Sequence, residues 1–442
     1  MGVGQNEAAL TSKPNHKGIG GMATLGRALC PEFPLQKLFK FARPLLLWKQ
    51  LEKLLGFSCN SFKASLMRKF QRFIHKGLQM RVGLTLSGDN LSEDGARFAS
   101  QLGVTDVVIH FNDYSAGPDG KPYLREGAVG PILRDCQNVV PWDYQRMADT
   151  VAMLARHGLR VAALENFSPA FWSDILLDGP NRLPQMEGLK RLVRDAGKAG
   201  IPVIGYNFSI AGVWGWKKRP VARGGATTVV LDLTDEELSS PMPDGMIWNM
   251  RYRDAVPGAE PVTVEEDELW DRFTWFLQEL VPVAEEAGVR LAAHPDDPPV
   301  ERLRGTARLV NRPEKYDRLL SIADSPANAL EFCIGSLQEM PGCDIYSTVR
   351  HYAQKKALAY VHFRNVKGRA PNYEEAFIDD GDVDMTEIVR ILRDESFDGV
   401  LVPDHVPDMH CAAPWHAGHA YTVGFMKALV NQAKTLGPSW SA

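Results

Sequence analysis

The sequence predicts an α/β fold, a (β/α)8 TIM barrel that follows a separate N-terminal extension. Three observations carry this expectation. From Met80 onward, eight short apolar runs alternate with eight amphipathic stretches of helix length. Several stretches end at Gly just before the next run, as in "ARHGLRV", "GKAGIPV" and "EEAGVRL", where a left-handed cap residue closes a helix. No GxGxxG turn follows any run, which argues against an open dinucleotide-binding sheet.

The expected strands are 81–86 "RVGLTL", 105–111 "TDVVIHF", 159–165 "LRVAALE", 201–208 "IPVIGYNF", 289–293 "VRLAA", 328–333 "NALEFC", 358–364 "LAYVHFR" and 399–403 "GVLVP". The expected helices are 91–102, 142–157, 185–199, 264–287, 313–322, 345–356, 384–394 and 419–435. Residues 209–263 break the rhythm after strand four and are too long for a simple connection. An insertion at the strand carboxyl ends of a barrel covers the active site, braces the fold or contacts a second copy of the chain in a homo-oligomer; all three readings stay open at this point.

The chain has 442 residues, is 45% hydrophobic and has a net charge of −4, an ordinary globular balance. Its charge is unevenly placed. Residues 1–81 hold 14 Lys/Arg against 3 Asp/Glu, whereas 82–442 hold 36 against 51. An acidic body disfavours nucleic acid as a partner. Six cysteines show no CxxC pair and no framework, as expected of a reducing cytoplasm. No run reaches transmembrane length.

Residues 1–79 differ in kind. Residues 1–34 lack periodicity and are expected to be disordered. From Leu35 to Lys76, apolar and basic residues interleave at a spacing that suits two amphipathic helices. A membrane-surface or partner-binding arm, an accessory extension packed on the body, and a translation start at Met80 are equal alternatives. The stretch lacks the small-residue cleavage site of a secretory signal.

Four strand ends carry metal-ligand chemistry. His294 closes strand five, Cys333 strand six, His362 strand seven and Asp404 strand eight. In a barrel, strand carboxyl ends converge on one point. Two imidazoles, a thiol and a carboxylate suit a first-row divalent ion such as Zn2+, Fe2+ or Mn2+. Any one alone is an ordinary strand-end residue; four in register on adjacent strands are not explained by packing. In "HPDDPP", Asp296 or Asp297 is placed to orient His294 or meet substrate. Arg364, two residues past His362, points the same way and suits a substrate carboxylate. Glu165 and Asn207, at the ends of strands three and four, are candidates for substrate hydroxyls.

These stretches resemble the mannonate dehydratase family, built on a xylose-isomerase-like barrel. The likeness runs through "AGIPVIGYNF" (199–208), "HPDDPP" (294–299), "FCIGS" (332–336), "VHFRNVK" (361–367), "GDVDM" (381–385) and "PDH" (403–405), in order from Met80 to the C-terminus. It implies a hydro-lyase that takes D-mannonate or a related aldonate to a 2-keto-3-deoxy acid. It implies Mn2+ or Fe2+ on His294, Cys333, His362 and Asp404, with a role for Tyr421 after the last strand. His405, beside a ligand, is the expected proton-transfer partner of Tyr421.

The sequence departs from the family around the substrate. "YNF" continues as "SIAG", "WKKR" (216–219) replaces a Trp-Thr-Arg segment, and "EAFIDD" lacks a His before "GDVDM". Val402 replaces an Arg before "PDH" and Val406 a Gly after it. The ligands are kept and the substrate shell is changed, so a sugar acid is expected as the small-molecule partner. A metal-dependent sugar isomerase or epimerase, and a non-catalytic sugar-acid-binding paralogue, are the alternatives.

Overall fold

The computed structural model describes residues 80–112, 134–137 and 139–436. The basic extension read at 1–79 lies outside the described residues. Eight parallel strands close into a barrel: β1 (Arg81–Ser87), β2 (Asp106–His110), β3 (Arg160–Glu165), β4 (Val203–Tyr206), β5 (Arg290–Ala293), β6 (Asn328–Cys333), β7 (Leu358–His362) and β8 (Val400–Val402). Each strand pairs with its sequence neighbours, and β1 pairs with β8 to seal the cylinder.

Helices return the chain between strands: α1 (Glu93–Gln101), α2 (Tyr144–Arg156), α3 (Arg182–Lys198), α4 (Glu266–Ala287), α5 (Lys315–Ile322), α6 (Ile345–Gln354), α7 (Met385–Asp394) and α8 (Pro414–Leu436). Local chemistry sets their ends. Asp143 accepts the Arg146 amide at the start of α2, and Asp384 accepts those of Thr386 and Glu387 at the start of α7. On α4, Glu266, Asp267 and Glu268 meet the positive end of the helix dipole. The same helix stops at Gly288, whose φ of 68° a side chain would disfavour.

Two apolar layers hold the barrel. The outer layer lies between strands and helices; α4 contributes Leu269, Phe273, Phe276, Leu277 and Leu280 at helical spacing. Truncating fully buried Leu280 to Ala would cost about 2–5 kcal/mol. The inner layer is small and includes Val108, Ala163, Val203, Ala292 and Val402.

Strand seven ends at His362 rather than running to Arg364, and a new strand starts at Asn365. The insertion after β4 forms a hairpin, Trp216–Ala222 with Ala226–Asp232. This hairpin joins a second one, Asn365–Arg369 with Asn372–Ala376, in one antiparallel four-stranded sheet. Met246–Ile247 and Met250–Arg251 pair with each other, and the latter also with Arg134–Asp135. Among the described residues, no helix is long and apolar enough to cross a membrane.

Candidate metal centre

Strand register brings the four candidate ligands together. Cys333 on β6 stands opposite His362 on β7, and His362 stands opposite Val402 on β8. Asp404 follows Val402 by two residues, the spacing that returns a side chain to one side of an extended chain. His294 leaves the end of β5, with its amide donating to the Tyr206 carbonyl of β4 at 2.8 Å. One donor atom from each of His294, Cys333, His362 and Asp404 lies within 4.8 Å of all the others. Cys333 and His362 are buried, while His294 and Asp404 are partly exposed. Two of the four ligands are thus reachable from outside, an arrangement compatible with an open coordination position.

The charges suit a cation. Burial pushes the Cys333 thiol up, but the Arg364 charge and hydrogen bonds from His294 and His362 prevail and hold it at about 5. It is a thiolate near neutrality, the form that binds metals. Burial lowers His294, yet the Cys333 hydrogen bond and the Glu331 charge bring it up to about 9. His362 is likewise raised, burial being outweighed by Asp404, Glu165 and Glu331. Asp404 is held well below the usual carboxylate range, because His362, His405 and Arg364 overcome its burial. Protons on the imidazoles thus occupy a place that suits a dication, which would displace them on binding. The His294 Nδ1–H donates to the Pro295 carbonyl at 2.6 Å, leaving Nε2 for an ion.

The remaining residues singled out from the sequence occupy varied places. Arg364 is only 2% exposed. It donates from Nε to Asp404 Oδ2 at 3.0 Å, from Nη1 to Glu339 Oε1 at 2.6 Å, and from Nη2 to Ser336 Oγ at 3.1 Å and to Asp297. Glu375 lies 3.6 Å from Nη1. Four donor bonds thus run from Arg364 to protein, one of them to Asp404 Oδ2, so the guanidinium braces that carboxylate.

Asp296 staples its own loop. Oδ2 accepts the Leu309 and Val310 amides at 2.7 Å each, and Oδ1 faces Arg308 at 3.2 Å. Both of its oxygens are engaged by the loop around Arg308–Val310. Asn207 donates to the Pro295 carbonyl at 3.3 Å and so braces the atom that also holds His294. Glu165 is buried beneath the ligands; it accepts from Tyr360 Oη at 2.9 Å and lies 3.1 Å from His362 Nε2. Its contacts in this position include Tyr360, His362 and His110.

His405 sits at the mouth of the cup. Its Nδ1 lies 2.8 Å from Glu375 Oε1 and its Nε2 3.3 Å from Asp404 Oδ1. Tyr421 on α8 is 37% exposed. Its ring packs on Phe377, and its hydroxyl accepts from Arg223, at the turn of the insertion hairpin, at 3.4 Å.

The sequence reading missed Glu331, Glu375 and Tyr373. Glu331 was visible as a charged residue inside the apolar run "NALEFC". Glu375 carried no such signal, because Glu374 beside it is equally eligible in "NYEEAF". Tyr373 donates to Asp297 Oδ1 at 2.6 Å, a partner too distant in sequence to infer.

Known proteins similar to this chain point to one family. The family model for D-mannonate dehydratase (UxuA) matches residues 123–431. The mannonate dehydratase of Geobacillus thermodenitrificans is 30% identical over 302 residues, covering 63% of this chain and 79% of its own. That of Streptococcus pneumoniae is 28% identical over 293 residues, covering 60% and 74%. The crystal structure of mannonate dehydratase from Streptococcus suis serotype 2 superimposes with a TM-score of 0.60 at 23% identity, over 80% of this chain and 94% of that one; at this identity it speaks for the barrel fold.

Proposed function

The chain belongs to the D-mannonate dehydratase family, and from that premise we infer that it eliminates water from D-mannonate to give a 2-keto-3-deoxy acid. It is a hydro-lyase. One observation carries the assignment to this barrel: the four donor atoms at successive strand ends that lie within 4.8 Å of one another.

His294, Cys333, His362 and Asp404 hold a divalent ion in this reading, Mn2+ or Fe2+, with Zn2+ also suited to the thiolate. When bound, the ion supplies Lewis-acid stabilisation of the negative charge that develops next to the substrate carboxylate. Loss of the C2 proton and the C3 hydroxyl leaves an enol, which relaxes to the 2-keto product. Two proton-transfer groups are needed, and His405 and Tyr421 are assigned to them. His405 is supported by its place at the mouth of the cup and by Glu375, which holds Nδ1 and leaves Nε2 turned toward the ligands. Tyr421 is supported by its place under the hairpin turn, beside Arg223. Trp216, reaching across to Asp297 and Tyr373, would keep bulk water from the reacting carbons. A reducing, cytoplasmic setting suits a site that depends on the free Cys333 thiolate.

The test is direct. Chain loaded with Mn2+ or Fe2+ is incubated with D-mannonate and its C2 and C3 epimers, and 2-keto-3-deoxy product is read as its semicarbazone. Product from D-mannonate, abolished by chelation, is expected. Metal-replete protein that dehydrates no aldonate would overturn the proposal.

A further inference from the structure

Beneath the four candidate ligands lies a second buried group of polar side chains, of which the proposed reaction uses only His362. It contains Glu165 from β3, Glu331 from β6, and Tyr360 and His362 from β7. One donor atom each from Glu165, Glu331 and His362 lies within 4.8 Å of the others. His362 is shared between the two groups and faces them with different nitrogens. Nδ1 lies 3.3 Å from the ligand oxygen Asp404 Oδ2. Nε2 lies 3.1 Å from Glu165 Oε2 and 3.2 Å from Glu331 Oε1. A neutral imidazole carries one N–H and one lone pair, so fixing the proton on one nitrogen frees the other for coordination.

We propose that Glu165 and Glu331 are positioning residues that hold the His362 proton on Nε2 and so present the Nδ1 lone pair to the metal. A carboxylate behind a ligating imidazole fixes the ring's orientation and raises its basicity. The pair is itself braced, since the Tyr360 hydroxyl donates to Glu165 Oε2 at 2.9 Å and His110 Nε2 lies 3.2 Å from Glu165 Oε1. The barrel also leaves room for it. A Cβ at Gly205 on β4 would come within 2.2 Å of Tyr360 Oη and 2.3 Å of Glu331 Oε2. Packing gives no reason for two carboxylates here, because the interior around them is lined by residues such as Val108, Ala163 and Ala292.

The inference rests on the metal-centre reading above, and its test separates the two. The full chain, stripped by chelator, is titrated with Mn2+ alone, and free and bound ion are read by electron paramagnetic resonance. Wild type is expected to bind one Mn2+ per chain. Glu165→Gln and Glu331→Gln should each weaken binding by roughly 10- to 100-fold and alter the bound-Mn2+ spectrum, with thermal unfolding of the metal-free chain not lowered. Tyr360→Phe, which removes one hydroxyl and little volume, should weaken binding several-fold, and it decides the matter should either Gln variant fail to fold. Affinities and spectra equal to wild type in the folded variants would overturn the proposal. So would two Mn2+ per wild-type chain with one lost in Glu165→Gln, which would make the carboxylates ligands of their own ion. Wild type that binds no Mn2+ would bring down the metal-centre reading and this inference together.

Discussion

The indole of Trp216 stands edge-on to the imidazole of His405, with ring centroids 4.9 Å apart and planes at 88°. The indole also donates to Tyr373 Oη at 3.0 Å and to Asp297 Oδ1 at 3.3 Å. A side chain from the insertion after β4 therefore roofs a group at the end of β8. Trp216→Ala is expected to lower kcat/KM for D-mannonate by roughly 10- to 100-fold, as small losses of positioning do, with metal content unchanged. Steady-state kinetics with metal analysis of the same preparation checks this; unchanged kcat/KM would remove Trp216 from the site.

His362→Ala and Asp404→Ala should lose bound metal and turnover together. In wild type, added metal should raise the unfolding temperature with the logarithm of its free concentration above Kd, with about 2.7 kcal/mol of added stability at a free concentration of 100 times Kd. Calorimetry across a metal series reads this. Full activity in either metal-free variant would defeat the ligand assignment.

Arg364 lies among Asp297, Glu339, Glu375 and Asp404. Removing its charge takes the side-chain hydrogen-bond donor from buried Glu339 and a counter-charge from Asp297 and Asp404, a change of the kind that costs about 3–5 kcal/mol. Arg364→Met should therefore show a lower urea midpoint. Arg364→Lys distinguishes this role from substrate binding: a raised KM with unchanged stability would return Arg364 to the substrate carboxylate.

His419 on α8 supplies a pH dependence away from the cup. Burial lowers its pKa to about 4, against the Trp415 carbonyl that its Nδ1–H meets at 2.9 Å. The unfolded imidazole takes a proton below about 6.5, and the folded one resists until about 4. Stability is thus fully present above about 6.5, falls as pH drops toward 4 and levels off below, by at most about 3 kcal/mol. His419→Gln should flatten this part of the curve. Equal slopes for wild type and variant between pH 4 and 6.5 in urea unfolding would refute the assignment.

Much of the barrel was legible because its signals are local. Apolar runs and the glycines behind the helices mark the strands, and β6 matches its expected range of 328–333. The four candidate ligands were legible for the same reason, since each follows directly from a strand end. What each neighbouring residue touches was not legible. "HPDDPP" cannot say that Asp296 turns to the Leu309 amide while Asp297 meets Arg364; those partners are remote along the chain. Strand seven was read two residues too long because Phe363 and Arg364 extend its apolar and side-alternating pattern, yet the chain leaves the barrel there to begin a hairpin. The insertion stayed ambiguous because its sheet is completed by Asn372–Ala376, far downstream.

That shared sheet ties two parts of the molecule together. Tyr373 and Glu374 pair with Leu231 and Val230 of the insertion hairpin, and the next residue, Glu375, grips the His405 imidazole. A roof mounted on the same girder as the clasp of the His405 ring cannot lift independently of it. Any displacement of the insertion hairpin would pull on the strand that carries Glu375 and so disturb the His405 ring.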